Sequence, residues 1–268
     1  MFEVEISNMA GDSVARRVPV SDTINPSDRT ACLTAAFKQL LAEGAPLSGL
    51  NFDALHITDC DLSGRDLSGS SFNHAILLAC RFDYARLNGV HAMGAQFARS
   101  SFQGAQLFGS ILKMADFSMT DLTQANFCGA ALVEADLRGA SLSDTRFDGA
   151  ALTGATFDHV DFAAGSFAGC SLREAKVGHF LWGNEDVFHP PVTFSGSVFP
   201  VRLFEDFLMM AGTMFPRDQI EGGDSDDATP AELTYLREYR ELLTFFMDSQ
   251  VRDRSARGPS GPSLTGMH

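Results

Sequence analysis

The stretch Ala115-Asp116-Phe117-Ser118-Met119-Thr120-Asp121-Leu122-Thr123-Gln124-Ala125-Asn126-Phe127-Cys128-Gly129-Ala130-Ala131-Leu132 sets a large apolar residue at every fifth position: Phe117, Leu122, Phe127 and Leu132. A small residue precedes each by two. Extended both ways, the register runs without slip from Leu47 to Val177, 27 positions of which 13 are Leu and 11 are Phe, with Ala92 the one small member. The companion series from Ala45 to Ala175 is Ala, Ser, Cys, Thr, Val or Gly at 24 of 27 positions; Leu50, Leu55 and Arg65 depart from it. Periods of 3.6 and 2 would both carry these apolar residues round to solvent, so a five-residue geometric unit is required. Every twentieth residue from Gly49 to Gly169 is glycine. That groups the units in fours and marks one corner of each coil as needing positive φ or close backbone approach.

The triplets Ala115-Asp116-Phe117, Ala125-Asn126-Phe127 and Ala135-Asp136-Leu137 resemble the pentapeptide-repeat family, whose unit is a small residue, Asp or Asn, Leu or Phe, and two variable positions. The resemblance implies an all-β solenoid, a right-handed four-sided β-helix over residues 45–179, with central and small residues pointing inward. Its core is then four columns. Phe127, Phe147 and Phe167 stack in one; Phe97, Phe117 and Phe157, with Leu137 between, in another; Phe82 and Phe102 in a third; Phe52 and Phe72 open the fourth. Arg65 is expected to force a bulge at Gly64-Arg65-Asp66, and Ala92 to leave a gap between Phe72 and Leu112.

Open ends of such a column expose unpaired strand edges, so the flanks are expected to cover them. Residues 1–44 read as a small α/β N-terminal cap. Phe2–Ile6 and Val14–Val20 form a hairpin about Gly11-Asp12; Asn25-Pro26 serves as N-cap and first helical residue; Leu33, Ala36, Phe37, Leu40 and Leu41 share a helix face, with Gly44 as stop. Residues 180–252 read as a helical C-terminal cap with two short strands, at 192–194 and 198–201, and two helices. The second opens with the capping box Thr229-Pro230-Ala231-Glu232 and carries Leu236, Tyr239, Leu243 and Phe246 on one face. That face suits either sealing of the last coil or C-terminal homodimerisation, so monomer and dimer stay open. Residues 253–268 read as a disordered tail.

Acidic residues number 34 against 20 basic, a net charge of −14, which disfavours direct binding to nucleic acid or anionic membrane. No apolar run is long enough to span a bilayer, the N-terminus lacks a signal-peptide pattern, and five cysteines do not read as a disulfide framework; a cytoplasmic protein is the expectation. No nucleophile elbow, phosphate-binding loop or paired Cys-x-x-Cys is present, so no enzyme activity, catalytic residue, metal or cofactor is expected. His159 and His179 stand one coil apart but are too few to hold a metal and read as surface histidines. Cys60 and Cys80, also one coil apart and within disulfide range, read as packed thiols. The Asp residues at the second repeat position, Asp61, Asp66, Asp116, Asp121, Asp136 and Asp161, read as turn-stabilising side chains bonded to nearby amides rather than as general acids.

Surface binding is what remains. Outward positions Met93, Phe108, Ile111, Met114 and Val133 are expected around one corner of the middle coils, an apolar cluster of the kind that marks an interface with another protein. The leading reading is therefore a non-catalytic scaffold or adaptor, bacterial or prophage-encoded. The alternative follows from the resemblance: some family members mimic DNA and act on type II topoisomerases such as gyrase. Here Asp116, Glu134 and Asp136 would form the acidic stripe, although nine basic residues against 14 acidic dilute the charge of the repeat segment. Circular dichroism should be β-dominated with a modest helical component; a mainly helical spectrum would exclude the solenoid.

Overall fold

Parallel bridges join residue i to residue i + 20: Asn51 to Ser71, Ser71 to His91, His91 to Ile111, Ile111 to Ala131, Ala131 to Ala151 and Ala151 to Ser171. This computed structural model describes residues 1–160, 165–172 and 175–177. The chain is a β-helix solenoid with four pentapeptides per coil. Each unit makes the same four backbone bonds; in the one centred on Phe97, Arg99 N–H donates to Ser118 C=O in the next coil (3.0 Å). Phe97 N–H donates to Asp116 C=O in the next coil (2.8 Å), Gln96 N–H donates to Ala75 C=O in the preceding coil (2.8 Å), and Ser100 N–H closes the corner on Phe97 C=O (3.1 Å).

The corner needs a left-handed residue two places after the centre. It is met at all four corners, by Ala54, Asp59, Tyr84, Met114 and others as well as by glycine. The expectation of a single positive-φ corner is therefore overturned: Gly109 (φ 64) is no different from Met114 (φ 58), and a Cβ at Gly109 would meet nothing within 4 Å. Nothing in the structure explains why that column is glycine in every coil.

One backbone donor per unit, on the residue just after the centre, lies outside this ladder, and in many units a side chain satisfies it in one of two ways. In the first, an Asp or Asn just before the centre accepts it locally: Asp61 from Ser63, Asp66 from Ser68, Asp116 from Ser118, Asp121 from Thr123, Asn126 from Cys128 and Asp136 from Arg138, at 2.8–3.1 Å. This is the turn-stabilising role expected of these carboxylates; Asp161 lies outside the described residues. In the second, an Asp or Asn just after the centre reaches across one coil: Asp53 accepts from Asn73, Asn73 from Met93, Asp83 from Gln103, Asn88 from Phe108 and Asp148 from Ala168.

Inside, the columns stack as expected. Ring centroids lie 5.4 Å apart for Phe52 and Phe72, 4.5 Å for Phe82 and Phe102, 5.1 Å for Phe97 and Phe117, 5.2 Å for Phe127 and Phe147, and 4.9 Å for Phe147 and Phe167. Neighbouring columns meet edge to face, as Phe117 does with Phe127 at 5.6 Å. Hydroxyls in the small inward column donate to the central carbonyl one coil back, Ser70 to Leu47, Ser100 to Leu77 and Thr145 to Leu122, so their burial leaves no orphan.

The irregular positions bend nothing. Around Arg65 the ladder is continuous, Gly64 donating to Asp83 (2.8 Å) and Arg65 accepting from Arg86 (2.9 Å), so the expected bulge is absent. The Arg65 side chain turns out of the core and donates to the C=O of Ala45, the equivalent residue one coil below (3.1 Å). Ala92 is fully buried, and its N–H keeps its bond to Ile111 C=O. Rings from other columns crowd this level, Phe97 lying 5.7 Å from Phe82 and 5.3 Å from Phe102.

At the N-terminal end, β1 (Phe2–Ser7) pairs antiparallel with β2 (Val14–Val20), and α1 spans Arg29–Ala42. The helix cap is Asp28, whose carboxylate accepts from Ala31 N–H, and not Asn25; Asn25 instead closes a turn by accepting from Ser27 and Asp28. Its buried residues are Cys32, Ala36, Phe37 and Leu40, so the apolar stripe is turned toward Cys32 and away from Leu33 and Leu41. Phe37 meets Phe52 edge to face at 4.9 Å. Edge groups of the first coil find partners here: Asn51 N–H on Ser7 C=O, Gly49 C=O on Met9 N–H, and His56 C=O on the Thr34 hydroxyl. The readings for 180–252 and 253–268 lie outside the described residues.

Phe127→Ala removes a buried ring stacked on Phe147 and met edge-on by Phe117 and should cost about 3–5 kcal/mol in a denaturant titration, whereas Met119→Ala on the surface should stay within about 0.5 kcal/mol. Equal effects would refute the inward assignment.

Candidate functional site

Three columns of side chains lie outside the core on each side of the coil, and one side differs from the rest. Ile111 occupies the column His91, Ile111, Ala131, Ala151. Met93, Lys113, Val133 and Thr153 form the next but one, tied by the bonds Gly94 to Lys113, Met114 to Val133 and Glu134 to Thr153 at 2.8–2.9 Å. Met114 and Glu134 stand at the corner beside it, and Phe108 at the preceding corner. The five apolar candidates therefore span one whole face between two corners rather than gathering about a single corner. Phe108 is 60% exposed, Met114 61%, Met93 40% and Ile111 38%; Val133 is half-buried.

Within the described coils two further exposed large apolar residues escaped the sequence reading, Tyr84 (62%) and Met119 (64%), both on other corners. Their sequence signal is a glycine twenty residues on. A Cβ at Gly104 would sit 2.7 Å from the Tyr84 ring, and one at Gly139 3.5 Å from the Met119 side chain. His74 and Glu134 rest on Gly94 and Gly154 in the same way.

The acidic candidates are placed differently from a bare stripe. Asp116 bridges Asp136 one coil on, and Glu134 stands exposed at the adjoining corner. Asp136 is clamped by the Arg138 guanidinium, whose Nε lies 2.9 and 3.0 Å from its two oxygens. Partial burial pushes the Asp136 carboxyl upward, but the bonds from the Arg138 side chain and N–H outweigh it and hold the group below the usual range. Elsewhere the same pairing recurs, Asp66 with Arg86 (3.2 Å), Asp61 with Arg81 (3.7 Å), Asp83 with Arg81 (3.1 Å) and Asp148 with Arg146 (3.1 Å). Asp148 is likewise raised by burial but lowered further by the Ser166 hydroxyl and Arg146. The N–H and hydroxyl of Ser68 lower Asp66.

Cys60 and Cys80 are free thiols. Burial raises both, Cys80 to about 11, and takes Cys170 to about 12, so these groups stay protonated filler at neutral pH. Among the described residues no group of three His, Cys, Asp or Glu could hold a metal ion, and no helix is long and apolar enough to cross a membrane. His159 pairs with Asp158 at 3.0 Å; His179 lies outside the described residues.

Pentapeptide repeats, in eight copies, match residues 56–91, 75–113 and 120–158. A pentapeptide repeat protein from the Arabidopsis thaliana thylakoid lumen is 34% identical, the match covering 38% of this chain and 68% of that one, with a TM-score of 0.30. The chain belongs to the pentapeptide-repeat family. Full-length QnrB1, a plasmid-mediated fluoroquinolone resistance protein, is 23% identical over 60% of this chain and 90% of its own, at a TM-score of 0.31. HetL, a pentapeptide repeat protein involved in heterocyst differentiation regulation in the cyanobacterium Nostoc, is 16% identical over 61% and 91%, at 0.18. Among curated protein sequences none matches this pentapeptide-repeat chain.

The depressed carboxylates make acid stability a readout of this surface. Their contribution is complete well above the ordinary value of 3.8 and is lost as pH falls below it through the lower folded values. Chemical denaturation at pH 7 and pH 3 should show wild type losing stability in acid, and Asp136→Asn with Asp148→Asn losing less.

Proposed function

We propose that this protein is a non-catalytic cytoplasmic scaffold that docks another protein on the face bearing Met93, Phe108, Ile111, Met114 and Val133. One observation carries the reading: four of these large apolar side chains are solvent-exposed, and Val133 half-exposed, on one side of a solenoid whose other sides carry several Asp and Arg ion pairs. Burying such a face is favourable by about 25 cal/mol per Å² of apolar surface and insensitive to salt. The covering of the first coil by α1 and the hairpin fits a column built to stay single and soluble at that end. Mimicry of DNA is the second reading, resting on the stacked Asp116 and Asp136. Duplex DNA presents unneutralised charge at every step, whereas Arg138 offsets Asp136 here, which favours the apolar face.

The test is a benzophenone amino acid in place of Ile111, photolysed in bacterial lysate. A cross-linked protein band that persists at 1 M salt and disappears with Phe108→Asp is expected. Absence of any band, together with inhibition of gyrase supercoiling that Asp116→Lys with Asp136→Lys abolishes, would replace this reading with the mimic.

A further inference from the structure

The docking face is not uniform along the solenoid. Its lower rows carry the bulky side chains, Met93 and Ile111; its upper rows carry small ones, Ala131 and Thr153, the latter followed by Gly154. Its charges are also divided by row. Lys113 is exposed in the row of Ile111, and Glu134 is exposed one coil higher in the row of Ala131. Neither has an ion-pair partner among the described residues, unlike the Asp and Arg pairs on the other sides.

We propose that this face pairs with the same face of a second copy of the chain, turned end over end about a two-fold axis that crosses the face between Ile111 and Ala131. The proposal rests on the docking reading and names its partner. An isologous contact must be self-complementary, each row meeting its reflection about the axis. Ile111 then lies against Ala131 of the second copy, Met93 against Thr153 and Lys113 against Val133, with Glu134 of that copy the next residue in the same row, each contact occurring twice. Bulk meets hollow, and each cation has an anion one place from it. A parallel pairing would set the row of Ile111 against itself, bulky on bulky, with no carboxylate opposite Lys113. Four rows at about 4.8 Å make a patch only about 20 Å tall, smaller than a standard interface of about 800 Å² per partner, so the pairing is a reversible equilibrium and not a permanent dimer.

Sedimentation equilibrium of the full chain across about 5–500 μM tests it. A monomer–dimer equilibrium is expected, with Ile111→Asp and each of Lys113→Glu and Glu134→Lys weakening association about tenfold or more. Equimolar mixing of Lys113→Glu with Glu134→Lys should restore it, because a heterodimer then has one charge pair in its native sense and the other reversed, and no like-charge contact. That rescue is specific to the end-over-end register. A chain that stays monomeric throughout, a dimer indifferent to all three substitutions, or single variants that fail to rescue one another would overturn the proposal. Persistence of a cross-link from position 111 to a protein of different mass, with wild type monomeric, would overturn self-pairing and leave the docking reading standing; loss of both would remove the face itself.

Discussion

Everything in this molecule depends on one register, the hydrogen bond from each unit to the unit twenty residues away. A corner taken at positive φ every five residues leaves only short straight segments, too short to pair as free strands. They persist because each is bonded above and below and because Phe and Leu stack along the same direction. The two forces share one spacing: a coil-to-coil step of about 4.8 Å suits both a β-ladder and stacked rings. Loss of either would leave the other unable to hold the column.

The ladder alone does not satisfy the backbone. One amide per unit is left over, and in many units the sequence supplies an Asp or Asn for it either within the same unit or from the coil below. The acidic composition of the repeats is thus to a large extent structural. Arginines that pair with several of these carboxylates then keep the surface from accumulating the field that the bare count of acids suggests.

Most of the core was legible because a single period determines it, and each large central residue read from the sequence and described in the structure is buried. What was not legible depended on context beyond that period. Arg65 looked like a defect, yet only the structure shows that the side chain turns out of the core to the carbonyl of Ala45, one coil below. The glycine column suggested one special corner, whereas the backbone demands the same conformation at every corner and tolerates Tyr84 or Met119 there. Asn25-Pro26 has the composition of a helix start, but Asn25 closes a turn onto Ser27 and Asp28, and the Asp28 carboxylate accepts from Ala31 N–H and takes the role. The apolar candidates were read as surface residues correctly, but their spread over a full face required knowing where the corners fall.

The corners also make the two periods separable. An insertion or deletion of twenty residues within the coils would leave every column, ring stack and surface row in place and simply change the height of the post. An insertion of five would be equally silent to the core, since every unit offers the same small and large inward residues, but it would advance everything above it by a quarter turn. Length changes in multiples of five are therefore a route by which such a chain can redirect an entire face without altering a single buried side chain, and homologues of equal fold can present unrelated surfaces.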